Sequence, residues 1–172
     1  FLRALYYFNM VQMWGDLPLV TKPLAAEESY GVLRSPETEV YQLVEEDLRF
    51  AATNLPLPTE VSAPGKASKY AALTLLGKVY LASNKKAEAA EALLQVYGKY
   101  GLVVPYASLW GANIKNTVES IFEIQFQGGS PTLPFSRYWR EYAPTENSVL
   151  TAYGGGMNQV TDDLYNEFED GD

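Results

Sequence analysis

The hydrophobic positions recur at helical spacing through the first hundred residues and lose that order afterwards. At the start, Leu2, Leu5, Phe8 (or Asn9), Val11 and Met13 share one face, while Tyr6, Tyr7 and Met10 fill the others. A helix apolar nearly all round is a buried helix, so residues 1–14 read as core, with Tyr6, Tyr7 and Trp14 part of it. Gly15-Asp16 closes the helix and Pro18 forbids its continuation. Leu17 to Thr21 reads as extended, held to an edge or a loop by Pro18 and Pro23.

The next helix runs from about Ser35 to Leu55. Ser35 is placed to cap it, Pro36 to sit at its first position, and Glu37 and Glu39 to face its positive end. Its apolar stripe is Val40, Leu43 or Val44, Leu48, Ala51 and Leu55, with Glu45, Glu46 and Arg49 on the wet face. Leu55-Pro56-Leu57-Pro58 ends it, and Thr59 to Gly65 is a loop.

A helical hairpin follows. Ser68 can cap a helix to about Ala82 through Ala72, Leu75, Leu76, Val79 and Tyr80. Ser83-Asn84 makes the turn. Lys85 to about Tyr97 returns, with Ala90, Leu93, Leu94 and Tyr97 inward, and Gly98 and Gly101 close it. The hairpin matches the tetratricopeptide pattern. Gly77 takes the small position of the first helix, with Leu76 before it and Tyr80 three residues on. Ala89 then takes the small position of the second helix and Leu93 the large one four later. Closely crossing helices need Gly or Ala at the contact and large neighbours around it. The preceding helix can pack beside this pair as a neighbouring repeat helix.

After Gly101 the texture changes. Ile121, Ile124 and Phe126 among Glu123 and Gln125 predict a short strand over 119–127. Residues 128–158 are rich in Gly, Pro, Ser and aromatics without periodicity. Thr161 can cap a short final helix, 162–168, with Asp162 and Asp163 in its first turn. The pattern divides the chain into a helical scaffold, 1–101, and a loop-rich part, 102–172. The fold class is mainly α, with tetratricopeptide-like hairpins, a loop-rich region and one short strand.

Composition narrows the chemistry. The 172 residues hold no Cys and no His. That excludes disulfides, thiol nucleophiles, Ser-His-Asp triads and ordinary zinc sites, and no cofactor is expected. Lys and Arg number 13 against 21 Asp and Glu, a net charge of -8, which argues against nucleic acid as partner. No run approaches the roughly 18 apolar residues of a membrane span. The chain opens inside a helical pattern, without an initiator Met or an N-cap, and so reads as an internal piece of a longer protein. Thirteen Tyr, seven Phe and three Trp make it 13% aromatic. The excess is Tyr, a residue suited to surfaces that are partly apolar and partly wet.

Several blocks together resemble one family. They are Phe1-Leu2-Arg3-Ala4-Leu5-Tyr6-Tyr7-Phe8 with Trp14-Gly15-Asp16-Leu17-Pro18-Leu19-Val20, then Val40 to Pro56, then the Ala-rich helix from Lys69 to Leu81. Glu119-Ser120-Ile121-Phe122-Glu123-Ile124-Gln125-Phe126 follows. Gly154-Gly155-Gly156 leads to Val160-Thr161-Asp162-Asp163-Leu164-Tyr165, and Phe168-Glu169-Asp170-Gly171-Asp172 ends the series. In order and spacing these resemble the SusD/RagB-like outer-membrane lipoproteins. The resemblance implies a SusD-like α/α superhelix. It implies a surface lipoprotein, its signal peptide and anchoring Cys upstream of Phe1, that binds oligosaccharide or another polymer-derived nutrient. It implies a SusC-type TonB-dependent transporter as partner and no catalysis.

The candidate ligand residues are Tyr138, Trp139, Arg140 and Tyr142, with Glu141 among them and Tyr153 beyond. Exposed rings cover the flat C–H face of a sugar, and Arg, Asn or Glu bonds its hydroxyls. The same rings could instead pin the long loop onto the helices. Trp110 reads first as a packing anchor. A glycosidase would need two acids roughly 5–10 Å apart across a cleft, and Glu119, Glu123 and Glu141 are the acids that could supply them. The acidic end, Asp162 to Asp172, lacks the EF-hand spacing and reads as a solvated helix face rather than a calcium site. Gly154 to Gly156 and Gly65-Lys66-Ala67 do not make a phosphate loop. Two other function classes stay open beside glycan binding: a scaffold that only grips the transporter, and an acid-pair hydrolase.

Overall fold

The computed structural model describes residues 1–111, 114–126 and 161–167. The chain divides into two compact units, residues 1–124 and 125–172. Residues 102–124 therefore belong with the helices, not with the chain that follows them.

In the first unit the helices stack in a row. Helix α1 (Leu2–Trp14) packs on α3 (Glu37–Asn54), α3 on α4 (Lys69–Ala82), and α4 on α5 (Lys86–Leu94). Between α1 and α3 lie the short helix α2 (Ala26–Ser29) and a two-residue ribbon. Its strands, β1 (Leu17–Pro18) and β2 (Arg34–Ser35), pair antiparallel with Leu17 opposite Ser35. The core runs through the row: Ala4, Tyr7, Phe8 and Val11 from α1, then Val40, Val44 and Leu48 from α3. Helix α4 adds Ala72, Leu75, Leu76, Val79 and Tyr80, and the return adds Ala89, Ala92 and Val96.

The caps explain where the helices begin and end. Ser68 Oγ accepts the Ala71 N–H at 3.2 Å and starts α4. Helix α3 starts differently from expectation. Ser35 is in β2, Pro36 is the capping residue, and the acceptor for the first helical N–H comes from Asp16, whose Oδ1 lies 2.9 Å from Glu37 N. The α4–α5 turn is a Schellman closure. Asn84 takes φ +57, the Lys85 N–H reaches Tyr80 O at 2.8 Å, and the Asn84 N–H reaches Leu81 O at 3.1 Å.

The repeat packing holds at its tightest point. A Cβ on Gly77 would sit 2.5 Å from Leu93 Cγ, so only glycine leaves room for the leucine. The inward set of α5 is Ala89, Ala92 and Leu93, with Val96 buried just past its end, whereas Ala90, Leu94 and Tyr97 face water. Helix α5 ends at Leu94, so Tyr97 no longer falls on its face.

Three further expectations are corrected. Helix α1 is not buried all round: Leu2, Tyr6, Met13 and Trp14 are exposed, because only one face meets α3. Glu45 is not on the wet face but 3% exposed. Residues 119–126 form turns and irregular backbone, not a strand. Alternation supplies the side-chain pattern of a strand but not the ladder, and here the backbone turns instead, with the Ser120 N–H on Thr117 O at 2.9 Å.

In the second unit, helix α6 (Asp162–Asn166) starts where expected. The Leu164 N–H lies 3.3 Å from Thr161 Oγ1, and Asp162 and Asp163 stand exposed in the first turn.

Candidate functional site

The expected ligand residues Tyr138, Trp139, Arg140, Tyr142 and Tyr153 lie outside the described residues, as does Glu141. Within the first unit, aromatic surface gathers at another place. Pro105 opens a 3-10 turn over Tyr106–Leu109, closed by the Ser108 N–H on Pro105 O at 2.9 Å. The turn sets Tyr106 and Trp110 edge to face, centroids 5.7 Å apart and planes at 75°. Each residue is 68% exposed. Trp110 is therefore not a packing anchor. The pair holds its own orientation and offers flat apolar area to solvent. A Tyr four residues before a Trp, just after Pro105, was the available signal. It is weak without knowing that the intervening residues make a turn.

Two of the carboxylates weighed as a hydrolytic pair, Glu119 and Glu123, are engaged with backbone N–H groups. Glu119 Oε1 accepts the Val103 N–H at 2.6 Å. Both oxygens of Glu123 lie 3.0 Å from Asn116 N, and the Ser120 hydroxyl also donates to Glu123. Glu119 ties its turn to Val103, sixteen residues back, and Glu123 braces the turn at Asn116, so both acids have lone pairs engaged by backbone N–H groups. Among the described residues, no group of three or more acidic side chains is arranged to hold a metal ion.

The buried charge belongs to the scaffold. Glu45 accepts Lys85 Nζ at 2.5 Å and Arg49 at 2.7 Å, and Arg49 Nε donates to the Tyr80 hydroxyl at 3.0 Å. That hydrogen bond pushes the Arg49 guanidinium above its already high value. One carboxylate thus ties α3 to the α4–α5 turn. Arg3 makes a second tie, bidentate to Asp47 at 2.6 and 2.7 Å, with a further donor 3.2 Å from Thr21 O.

Known proteins place this scaffold. A family model described as starch-binding and associating with the outer membrane, of SusD-like type, matches residues 1–81. A SusD-like protein of Formosa agariphila is 28% identical over 128 residues, covering 73% of this chain and 24% of the relative. A solved SusD-like protein from Bacteroides fragilis is 34% identical, with a TM-score of 0.66, over 76% of this chain and 26% of that one. The chain belongs to the SusD-like family. A second solved relative, a laminarin-binding SusD-like protein, is 40% identical with a TM-score of 0.65, over 70% of this chain and 28% of its own. The SusD-like chain thus spans about a quarter of the length of these relatives. The mainly helical fold expected from the sequence agrees with theirs.

Proposed function

We propose that this SusD-like chain is part of a non-catalytic surface lipoprotein. It binds oligosaccharide at the outer membrane and passes it to a SusC-type TonB-dependent transporter. The observation that carries the binding step is the exposed Tyr106–Trp110 pair, standing on a scaffold whose family is described as starch-binding. Stacking on a pyranose C–H face asks for flat, fixed aromatic area at the surface, which the pair offers. The 40% identity to a laminarin-binding relative supports a glycan as ligand. The engagement of Glu119 and Glu123 with backbone N–H groups supports binding without hydrolysis. Tyr138, Trp139, Arg140, Tyr142 and Tyr153 are proposed as further contacts.

Isothermal titration against maltoheptaose and laminarihexaose tests the reading, with Trp110→Ala and Tyr106→Ala as one pair of variants and Trp139→Ala with Tyr142→Ala as another. Loss of one stacked ring is expected to weaken binding about three- to tenfold, the equivalent of roughly 0.5–1.5 kcal/mol, while the thermal midpoint stays in place. Release of reducing ends from either sugar, abolished by Glu119→Gln or Glu123→Gln, refutes the non-catalytic reading. Retention of the transporter by a chain that binds no sugar points to the scaffold alternative.

A further inference from the structure

Helix α1 is apolar on two opposite sides. Its buried side carries Ala4, Tyr7, Phe8 and Val11. Leu2, Tyr6, Asn9 and Met13 follow one another at steps of four, three and four residues. At about 100° per residue those steps make one stripe, roughly 180° from the buried one. Leu2, Tyr6 and Met13 are between 59% and 71% exposed. At the Leu2 end the stripe runs into a concavity of ≈ 660 Å³ walled by Phe1, Leu2, Leu55, Pro56 and Val61, so the uncovered apolar surface continues past the helix.

Charge is missing from that outer side. Arg3 is the one charged side chain of α1, and it is spent on Asp47. The neighbouring helices differ. Helix α3 shows Glu39, Gln42 and Glu46 to water, and α5 shows Lys86, Glu88 and Glu91. A helix apolar on all sides is one that has neighbours on all sides.

The position of the stripe in the fold says what belongs on it. Helix α1 packs on α3 and stands at one end of the row. Its outer stripe is on the side away from α3, so a helix laid there extends the row by one. Stacked helical repeats bury their faces only through neighbours, and a row that stops carries a polar outer face. Helix α1 has none. The chain also spans 24% and 26% of two SusD-like relatives, so a protein of their size has further chain to supply a helix.

We infer that the outer face of α1 is the seat of one more helix from the longer protein to which this chain belongs. That helix lays an apolar stripe of its own on Leu2, Tyr6 and Met13. It also brings a polar group opposite Asn9, whose amide is otherwise covered without a partner. The inference is independent of glycan binding.

Thiol labelling tests it. The chain holds no Cys, so Tyr6→Cys and Met13→Cys each add a single thiol. Each variant is made in the 172-residue chain and in the full-length natural protein, with the unsubstituted protein as blank and the rate in concentrated urea as the unhindered rate. Protection reports the fraction of time a contact is open. Both thiols should react about tenfold or more slowly in the folded full-length protein, and within about twofold of the unhindered rate in the 172-residue chain. Circular dichroism checks folding. A variant that folds in the short chain and unfolds in the long one also supports the seat, since only a covered face is disturbed. Unhindered rates in the folded full-length protein overturn the inference. Protection already present in the 172-residue chain overturns it too, in favour of a second copy where it grows with concentration. Protection that appears in the full-length protein only when the transporter is added assigns the face to that partner and overturns it as well.

Discussion

The contact between Gly77 and Leu93 allows a sharp test of the helix pairing. In Gly77→Ala the new Cβ would lie 2.5 Å from Leu93 Cγ, 2.6 Å from Cδ2 and 3.1 Å from Cδ1. Carbon atoms pack comfortably at about 3.5–4.0 Å, so the leucine must withdraw by roughly 1 Å. Cγ is the branch point of the side chain, so rotating its end does not relieve the clash. Overpacking of this kind costs about 1–3 kcal/mol. Against it stands the helix preference of Ala over Gly, about 0.8–1 kcal/mol at an interior position. The net expectation is destabilisation by about 1 kcal/mol. In the Leu93→Ala background the clash is gone and only the propensity remains, so the same substitution should stabilise by nearly 1 kcal/mol. A double-mutant cycle in urea, followed by far-ultraviolet circular dichroism, should therefore give a coupling of about 1–3 kcal/mol, equal to the overpacking cost. A Gly77→Ala effect that is the same in both backgrounds refutes the pairing. So does a stabilised variant on the native background.

Other outcomes follow from contacts already described. The Tyr7 hydroxyl accepts the Val20 N–H at 2.8 Å and lies 3.2 Å from Pro18 O, so Tyr7→Phe strands a backbone donor and should lower stability by about 1–2 kcal/mol, read from the urea midpoint. Glu45→Gln leaves Arg49 and Lys85 without their shared partner; since both cations are about half exposed and can turn to water, the cost should be about 1–3 kcal/mol, below that of a fully buried pair, and a Glu45→Gln chain as stable as the native one refutes the tie. Burial raises the phenol pKa of Tyr41 and Tyr100 above the ordinary 10.0. Their contribution to stability is complete below pH 10 and is lost as pH rises through the raised values, because the unfolded chain gives up these protons first. Titration by absorbance at 295 nm should show part of the 13 tyrosines ionising late, and Tyr41→Phe with Tyr100→Phe should remove that part.

Much of the scaffold was legible from local signals. Ser68 and Thr161 cap as their positions suggest, and the α4 stripe of Ala72, Leu75, Leu76, Val79 and Tyr80 is buried as a whole. Gly77, Ala89 and Leu93 could be paired across the hairpin because the turn between the helices is only Ser83 to Lys85. A short connection leaves two helices little choice of partner. The α5 stripe was read one position off because residues 89–94 carry Ala and Leu in two adjacent registers, and which of them meets α4 a periodicity count does not reveal.

The candidate site was less legible. The aromatic excess marked a surface made for partly wet contacts, but which rings stand in water depends on what packs over them. Tyr6 and Tyr7 are neighbours in the sequence, yet one is 64% exposed and the other 8%. The alternation over 119–127 looked like a strand because strand periodicity is a pattern of side chains, while the strand itself is a pattern of backbone pairing.

The sequence by itself determined the four long helices α1, α3, α4 and α5, the Ser68 and Thr161 caps, the close α4–α5 crossing and, by resemblance, the family. Those depend on residues within a few turns of each other. Only the tertiary structure decided that Asp16 caps α3 from 21 residues away and that Glu45 is buried where Lys85 comes from 40 residues on to meet it. Each of these is a pairing between distant segments. Its energy depends on a distance that no local pattern of apolar and polar residues encodes.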